Sequence, residues 1–174
     1  MRRLVLLTAL ALLGCPKKGE VGKGATAMPS WYAEPPPLCG VGSAMFQAGL
    51  MDTARLEADN NARGDLARQF QTKVEAMVKN YGAQGQANGE RYGESATTNV
   101  TRNIVDLSLT GARSVKNEIL NDTMFTLVCL QPDIFLKAFE GVKDMDDGLR
   151  AEIKQRMDSE FADLDAQLQR LRSE

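Results

Sequence analysis

The sequence contains no histidine among its 174 residues. This absence excludes nucleophilic sites built on a Ser–His or Cys–His pair, zinc sites with histidine ligands and pH switches based on imidazole. Aromatic residues make up only 6% of the chain, and no apolar run reaches the about 20 residues that a membrane-spanning helix needs. The sequence therefore lacks the residues of many enzyme classes, and it predicts neither a metal nor another cofactor.

Neither sign of charge dominates the chain. There are 21 basic and 23 acidic residues, a net charge of −2. If Arg2 and Arg3 leave with a cleaved leader, 19 basic residues face 23 acidic ones, and the net charge becomes −4. A mildly acidic protein lacks the basic surface that nucleic-acid binding requires, so nucleic acid is not an expected partner.

The first 14 residues have the layout of a secretory signal peptide. Two arginines precede the apolar run 4–13, which is too short to cross a bilayer. The end of the run and the two residues after it read LLGC (residues 12–15), which resembles the lipobox of bacterial lipoproteins. The resemblance implies cleavage between Gly14 and Cys15, a diacylglyceryl group on the Cys15 sulfur, and acylation of the new amine.

Residues 15–30 comprise this cysteine and a tether. Acyl chains on Cys15 would hold the protein on a membrane without a spanning helix. The next residue is Pro16, not the aspartate that favours inner-membrane retention in many Gram-negative bacteria. We therefore expect sorting to the outer membrane, on its periplasmic face. The following Gly-, Lys- and Pro-rich residues predict a flexible linker with a reach of roughly 20 Å.

A folded α+β domain is expected over residues 31–141. Its strongest feature is a helix over residues 52–81, in which apolar residues recur at steps of three and four. A short strand over residues 38–44 precedes it, and Gly40 and Gly42 indicate close approach of another backbone. The other predicted elements are a glycine-rich loop over 80–93, an amphipathic helix over 94–107, strands over 108–120 and 123–130 forming a hairpin around Asn121-Asp122, and a short helix from Pro132. Together these predict a long helix packed on a small antiparallel sheet in a βαββ-like order.

The order of these motifs resembles the LPP-twenty family of bacterial outer-membrane lipoproteins. The residues that carry the resemblance are the lipobox, PSW at 29–31, GVGSA at 40–44, ARGDLA at 62–67 and FTLV at 125–128. The resemblance covers residues 29–140 and implies a small α+β domain with no known catalytic residues. Some relatives are flagellar accessory lipoproteins that form rings or disks, which implies a flagellum-associated role as an alternative.

Residues 142–174 predict a C-terminal amphipathic helix. Its apolar residues end close to a heptad spacing and define a seam, which comprises Met157, Phe161, Leu164, Leu168 and Leu171. Such a seam needs a partner surface. Two alternatives stay open at this stage: the helix packs on its own domain, or it joins a second copy or another envelope protein.

Acidic residues precede this helix and invite comparison with a calcium site. An EF-hand loop starting at Asp144 would require glycine at its sixth position and glutamate at its twelfth, where the chain has Leu149 and Gln155. We expect instead that Asp146 and Asp147 lie at the helix N-terminus, where negative charge complements the helix dipole.

Two cysteines remain once Cys15 carries lipid. Cys39 lies in the first predicted strand and Cys129 in the last, and an even pair outside the cytosol permits a disulfide. The alternative is two buried free thiols, which the apolar neighbours of both residues favour. The decision depends on whether the two strands are neighbours in register.

Two functions from different classes are consistent with these features. The first is a non-enzymatic envelope lipoprotein that acts as a structural or assembly subunit. It is supported by the anchor, the tether and the candidate partner helix. The second is a small-ligand binder or an enzyme that uses carboxylates and a serine, for which Asp65, Glu57 and Ser43 are the candidate residues.

Overall fold

The computed structural model describes residues 28–84, 94–142 and 145–173. Its elements in chain order are α1 (Ser30–Ala33), β1 (Cys39–Met45), α2 (Met51–Gln84), α3 (Glu94–Thr110), β2 (Arg113–Leu120), β3 (Thr123–Cys129), α4 (Pro132–Glu140) and α5 (Asp147–Ser173). The α+β class and the long helix on a small antiparallel sheet are confirmed. The predicted loop over residues 80–93 begins as helix up to Gln84, and residues 85–93 lie outside the described residues.

The three strands form one antiparallel sheet in the order β1-β3-β2. Asn121 and Asp122 join β2 to β3, and both have left-handed φ angles, 47° and 55°. Two successive positive φ angles match a type I′ turn, whose twist suits a hairpin. The predicted hairpin is therefore present, and β1 lies beside β3.

Strand β2 begins later than the sequence predicts. The expected start was residue 108, but α3 continues to Thr110 and the strand starts at Arg113. Val105 is buried and Leu109, one turn further on, packs against the same hydrophobic core. Because both side chains gain burial in the helical conformation, the helix extends to this point.

One face of the sheet packs directly against α2, and we call it the helix face. A Cβ built on Gly40 or Gly42 would lie within 3 Å of backbone atoms of α2. The helix places the small, fully buried side chains of Ala58 and Ala62 against the sheet, and the Cβ of Leu66 also lies within 3 Å of where a Cβ on Gly40 would be. The expectation that these glycines admit another backbone is confirmed.

The opposite, outer face of the sheet is covered by two segments distant in sequence. The Tyr32 ring in α1 packs edge-on against Phe125 of β3, with ring centroids 4.8 Å apart. Near the other end of β3, Leu168 and Leu171 of α5 line a small cavity with Leu127. The central strand β3 is therefore buried on both faces, as its apolar sequence requires.

The seam of α5 packs within its own domain. Met157, Phe161 and Leu164 are at most 5% exposed, and Leu168 and Leu171 pack against the same core. Phe161 lies against Phe135 of α4, with ring centroids 5.6 Å apart. The structure therefore shows the intrachain alternative, in which the seam packs on its own domain and Leu168 and Leu171 stay half-buried.

Cys39 and Cys129 form a disulfide, with an S–S distance of 2.03 Å. The two residues are direct partners in the β1–β3 register. Both are almost fully buried, so their environment is apolar as the sequence indicated, but the preference for free thiols is not what the structure shows.

None of the helices in the described ranges combines the length and the apolar character that crossing a membrane requires.

Candidate functional site

The predicted anchor precedes the part of the chain that the structure describes. Gly14 and Cys15 both lie outside the described residues, as does most of the tether. The first described residue is Met28, which is 53% exposed and leads directly into α1. The lipid-attachment prediction therefore remains a prediction from the sequence.

A polar cleft lies beside the free edge of β1. Its lining residues are Tyr32, Val41, Gly42, Ser43, Asn60, Asn61, Gly64, Asp65 and Arg68, and its volume is about 430 Å³. Two of the three candidate residues of the enzyme alternative, Ser43 and Asp65, are brought together here. The third, Glu57, is exposed on α2 and does not line the cleft.

Asp65 acts on the backbone of β1. One carboxylate oxygen accepts the amide proton of Val41 over 3.1 Å, and the same oxygen accepts from Gln69 over 2.7 Å. The other oxygen accepts from Arg68 over 3.4 Å. The contacts of this carboxylate therefore fix a strand edge and a helix surface, which is a structural role.

Asn61 completes this cover of the strand edge. Its side-chain amide donates to the carbonyl oxygen of Ser43 over 2.9 Å. Unpaired N–H and C=O groups on an edge strand invite pairing with another chain. Asn61 and Asp65 each occupy one of these groups on β1, so they reduce the capacity of this edge to pair.

The Ser43 hydroxyl lies 3.2 Å from the Tyr32 hydroxyl. A serine nucleophile needs an adjacent base within about 2.6–3.2 Å, and a phenol hydroxyl is a weak acceptor for the serine proton compared with an imidazole or a carboxylate. The contact instead ties α1 to β1, in line with the packing of the Tyr32 ring on Phe125.

Hydrogen bonds to the Asp146 carboxylate lower its pKa. The hydrogen bond from the Tyr81 hydroxyl, followed by the one from the Leu149 amide, lowers the pKa of Asp146 below its ordinary value of 3.8. The same oxygen also accepts the Gly148 amide proton over 2.9 Å. Asp146 thus caps α5 and Asp147 lies in its first turn, as predicted from the sequence.

No group of three or more acidic or cysteine side chains placed to hold a metal ion occurs in ranges 28–84, 94–142 and 145–173. Asp144, the first residue of the rejected calcium loop, lies outside those ranges.

One surface feature was missed in the sequence. We call residues 45–51 (MFQAGLM), which run from the last residue of β1 to the first residue of α2, the apolar loop. Met45 is 75% exposed, Leu50 51% and Met51 52%. A signal was available, because residues 35–51 contain no charged side chain. The sequence interpretation covered only the strand over residues 38–44 and left residues 45–51 without an assignment.

Comparison of the sequence with known protein families gives no matching family, and comparison with curated proteins gives no similar protein.

Proposed function

We propose that the protein is a non-enzymatic lipoprotein of the bacterial outer membrane that faces the periplasm and acts as a structural or interaction subunit. The observation that carries the proposal is the lipobox, which ends in Gly14-Cys15 directly after a signal-like apolar run. The resemblance of residues 29–140 to the LPP-twenty family supports the same assignment.

The disulfide supports an envelope location independently of the lipobox. Disulfides form and persist in oxidising compartments such as the bacterial periplasm and are rare in the cytosol. Cys39 and Cys129 are joined within the fold and are almost fully excluded from solvent. A chain secreted by its leader would acquire this bond outside the cytosol.

The contacts of the candidate catalytic residues favour a structural or interaction role over chemistry. Asp65 is bound to the β1 backbone, Ser43 is bound to a tyrosine, and Glu57 does not line the cleft that holds the other two. In contrast, the apolar loop offers an exposed hydrophobic surface, and such surfaces in soluble domains are commonly interaction sites.

Replacement of Cys15 by serine tests the proposal. Cells fed an alkyne-labelled fatty acid are expected to label the wild-type chain, while Cys15→Ser gives an unlabelled precursor or a chain released from the membrane fraction. The matched control is Cys39→Ser with Cys129→Ser, which removes two cysteines but keeps the lipobox and should keep the label. Labelling of Cys15→Ser, or an unlabelled wild-type chain, would overturn the anchor.

A further inference from the structure

The apolar loop is held in place by its own backbone and by the hairpin beside it. The Phe46 amide donates to the Asp122 carbonyl over 2.8 Å, and the Leu50 amide donates to the Gln47 carbonyl over 3.0 Å. Gly49 has a left-handed φ of 88°, which allows the chain to turn between them. The exposed side chains are therefore presented on a fixed turn.

Leu50 is an unfavourable residue type for its position at the start of α2. Leu50 occupies the N-cap position of α2, because its carbonyl accepts the Ala54 amide proton just before the helix starts at Met51. Leucine is among the least favoured residues at an N-cap, where Ser, Asn and Asp are preferred. Exposure and poor capping together indicate that Leu50 serves something other than stability.

The membrane-proximal end of the chain enters the fold near this loop. In α1, the Trp31 indole donates to Glu118 and the Tyr32 ring packs on Phe125. Glu118 and Phe125 are register partners close to the hairpin turn, at the end of the sheet that carries the apolar loop. The tether thus attaches to the same half of the sheet as the loop.

The length of the tether keeps the loop close to the bilayer. Cys15 and Met28 are separated by 13 peptide steps, which span at most about 45 Å when fully extended. A tethered domain meets the surface at a high effective concentration, so weak apolar contacts suffice for docking. Insertion into a bilayer interface needs apolar side chains rather than a matched partner shape.

We propose that the apolar loop inserts into the interface of the bilayer to which Cys15 is anchored, as a second contact of the domain with lipid. This inference rests on the proposed function. Met45, Leu50 and Met51 supply the inserted side chains, and the partly buried Phe46 packs against a small core cluster that contains Ala44 and Met124. The docked domain would have the hairpin end of its sheet facing the membrane.

Quenching by lipids with brominated acyl chains tests the inserted position. The full-length mature protein is reconstituted into phosphatidylethanolamine–phosphatidylglycerol vesicles as Leu50→Trp and, as matched control, as Val115→Trp. Val115 is a similarly exposed apolar residue, at 39%, on β2 towards the other end of the sheet. The native Trp31 is 2% exposed and sets the background. Bromine is expected to quench the Leu50→Trp emission and to leave Val115→Trp at background.

A second measurement separates apolar insertion from electrostatic attraction of the tether lysines. Quenching of Leu50→Trp should persist in about 1 M salt, where the screening length falls to about 3 Å. Adding Met45→Ser and Met51→Ser to the Leu50→Trp variant removes apolar side chains from the loop. The ratio of membrane-docked to undocked domains, obtained from the quenching, should then fall by about tenfold or more.

The outcomes distinguish this proposal from that of the anchor. With vesicles in excess, loop insertion is overturned if the Leu50→Trp emission is quenched no more than background, or no more than that of Val115→Trp. This holds whether or not Cys15 is acylated. The intact mass of the same protein reports acylation of Cys15. A chain without acyl groups overturns the anchor, and quenching at Leu50 alone in such a chain still supports the loop as a lipid contact.

Discussion

Replacing Gly42 by alanine is expected to force helix α2 away from the sheet. The added Cβ would lie within 3 Å of the Ala58 carbonyl oxygen, the Ala62 amide nitrogen and the Asn61 carbonyl carbon. These are backbone atoms, so no side-chain rotation relieves the overlap, and the helix must move until an ordinary contact of at least 3.4 Å is restored.

The loss of stability expected for Gly42→Ala has two causes, overpacking and a stretched hydrogen bond. Overpacking of a well-packed contact costs about 1–3 kcal/mol, and the absence of a flexible neighbour places Gly42→Ala near the upper end of that range. The displacement also stretches the hydrogen bond from the Asn61 side chain to the Ser43 carbonyl, now 2.9 Å long, which is worth about 1 kcal/mol. We therefore expect the free energy of unfolding to fall by about 3–4 kcal/mol.

Gly64→Ala is the matched control on the same helix. A Cβ at Gly64 would meet only the Arg68 guanidinium at 3.6 Å, an ordinary contact. Alanine is favoured over glycine inside a helix by about 0.5–1 kcal/mol. Urea unfolding should thus give a lower midpoint for Gly42→Ala and a higher one for Gly64→Ala. An unchanged or raised midpoint for Gly42→Ala would refute the close contact between α2 and β1.

Three further predictions concern the disulfide, acid stability and the C-terminal helix. Alkylation of unreduced, denatured protein followed by mass spectrometry should leave Cys39 and Cys129 unmodified, and reduction should lower stability by up to about 4–5 kcal/mol, because the bridged residues are 90 apart. Because the pKa of Asp146 is lowered in the folded protein, its ionised carboxylate stabilises the folded state above pH 3.8. This contribution is lost as the pH falls through the folded-state pKa. Tyr81→Phe removes the largest cause of that shift, so its urea midpoint should fall less steeply with acid than that of the wild type. Leu164→Asp buries a charge at a position only 1% exposed, and the free energy of unfolding, measured by thermal unfolding, should fall by more than about 4 kcal/mol. If the wild-type chain instead forms an oligomer that Leu164→Asp dissociates without changing thermal unfolding, the seam is an interface between copies.

The elements of the fold were largely predictable because their signals are local. The apolar period of the long helix, the Asn121-Asp122 turn and the glycines of β1 each act over a few residues, and each was interpreted correctly. The pairing of Cys39 with Cys129 is different, because it depends on strands about 90 residues apart becoming neighbours. An apolar environment suits a thiol and a disulfide equally, so composition around the cysteines does not decide between them.

The partner of the C-terminal seam was not predictable for a related reason. The spacing of Phe161 and Leu164 fits an intrachain core and a coiled coil alike, and only the position of Phe135 on α4 settles which surface covers it. In the candidate site, Ser43 and Asp65 meet because β1 lies against α2. Glu57 does not join them, because it lies eight positions before Asp65 on the same helix, about 12 Å away along the helix axis.

The disulfide also decides how mechanical tension would travel through the molecule. A pull between the N-terminal tether and α5 enters at residue 28, reaches Cys39, and crosses directly to Cys129 before continuing through α4. Residues 40–128, which hold α2, α3 and β2, form a closed covalent ring outside that load path. Tension between a membrane anchor and a partner bound at α5 would peel away the terminal helices, while the chain within the ring could not be drawn out to its full length.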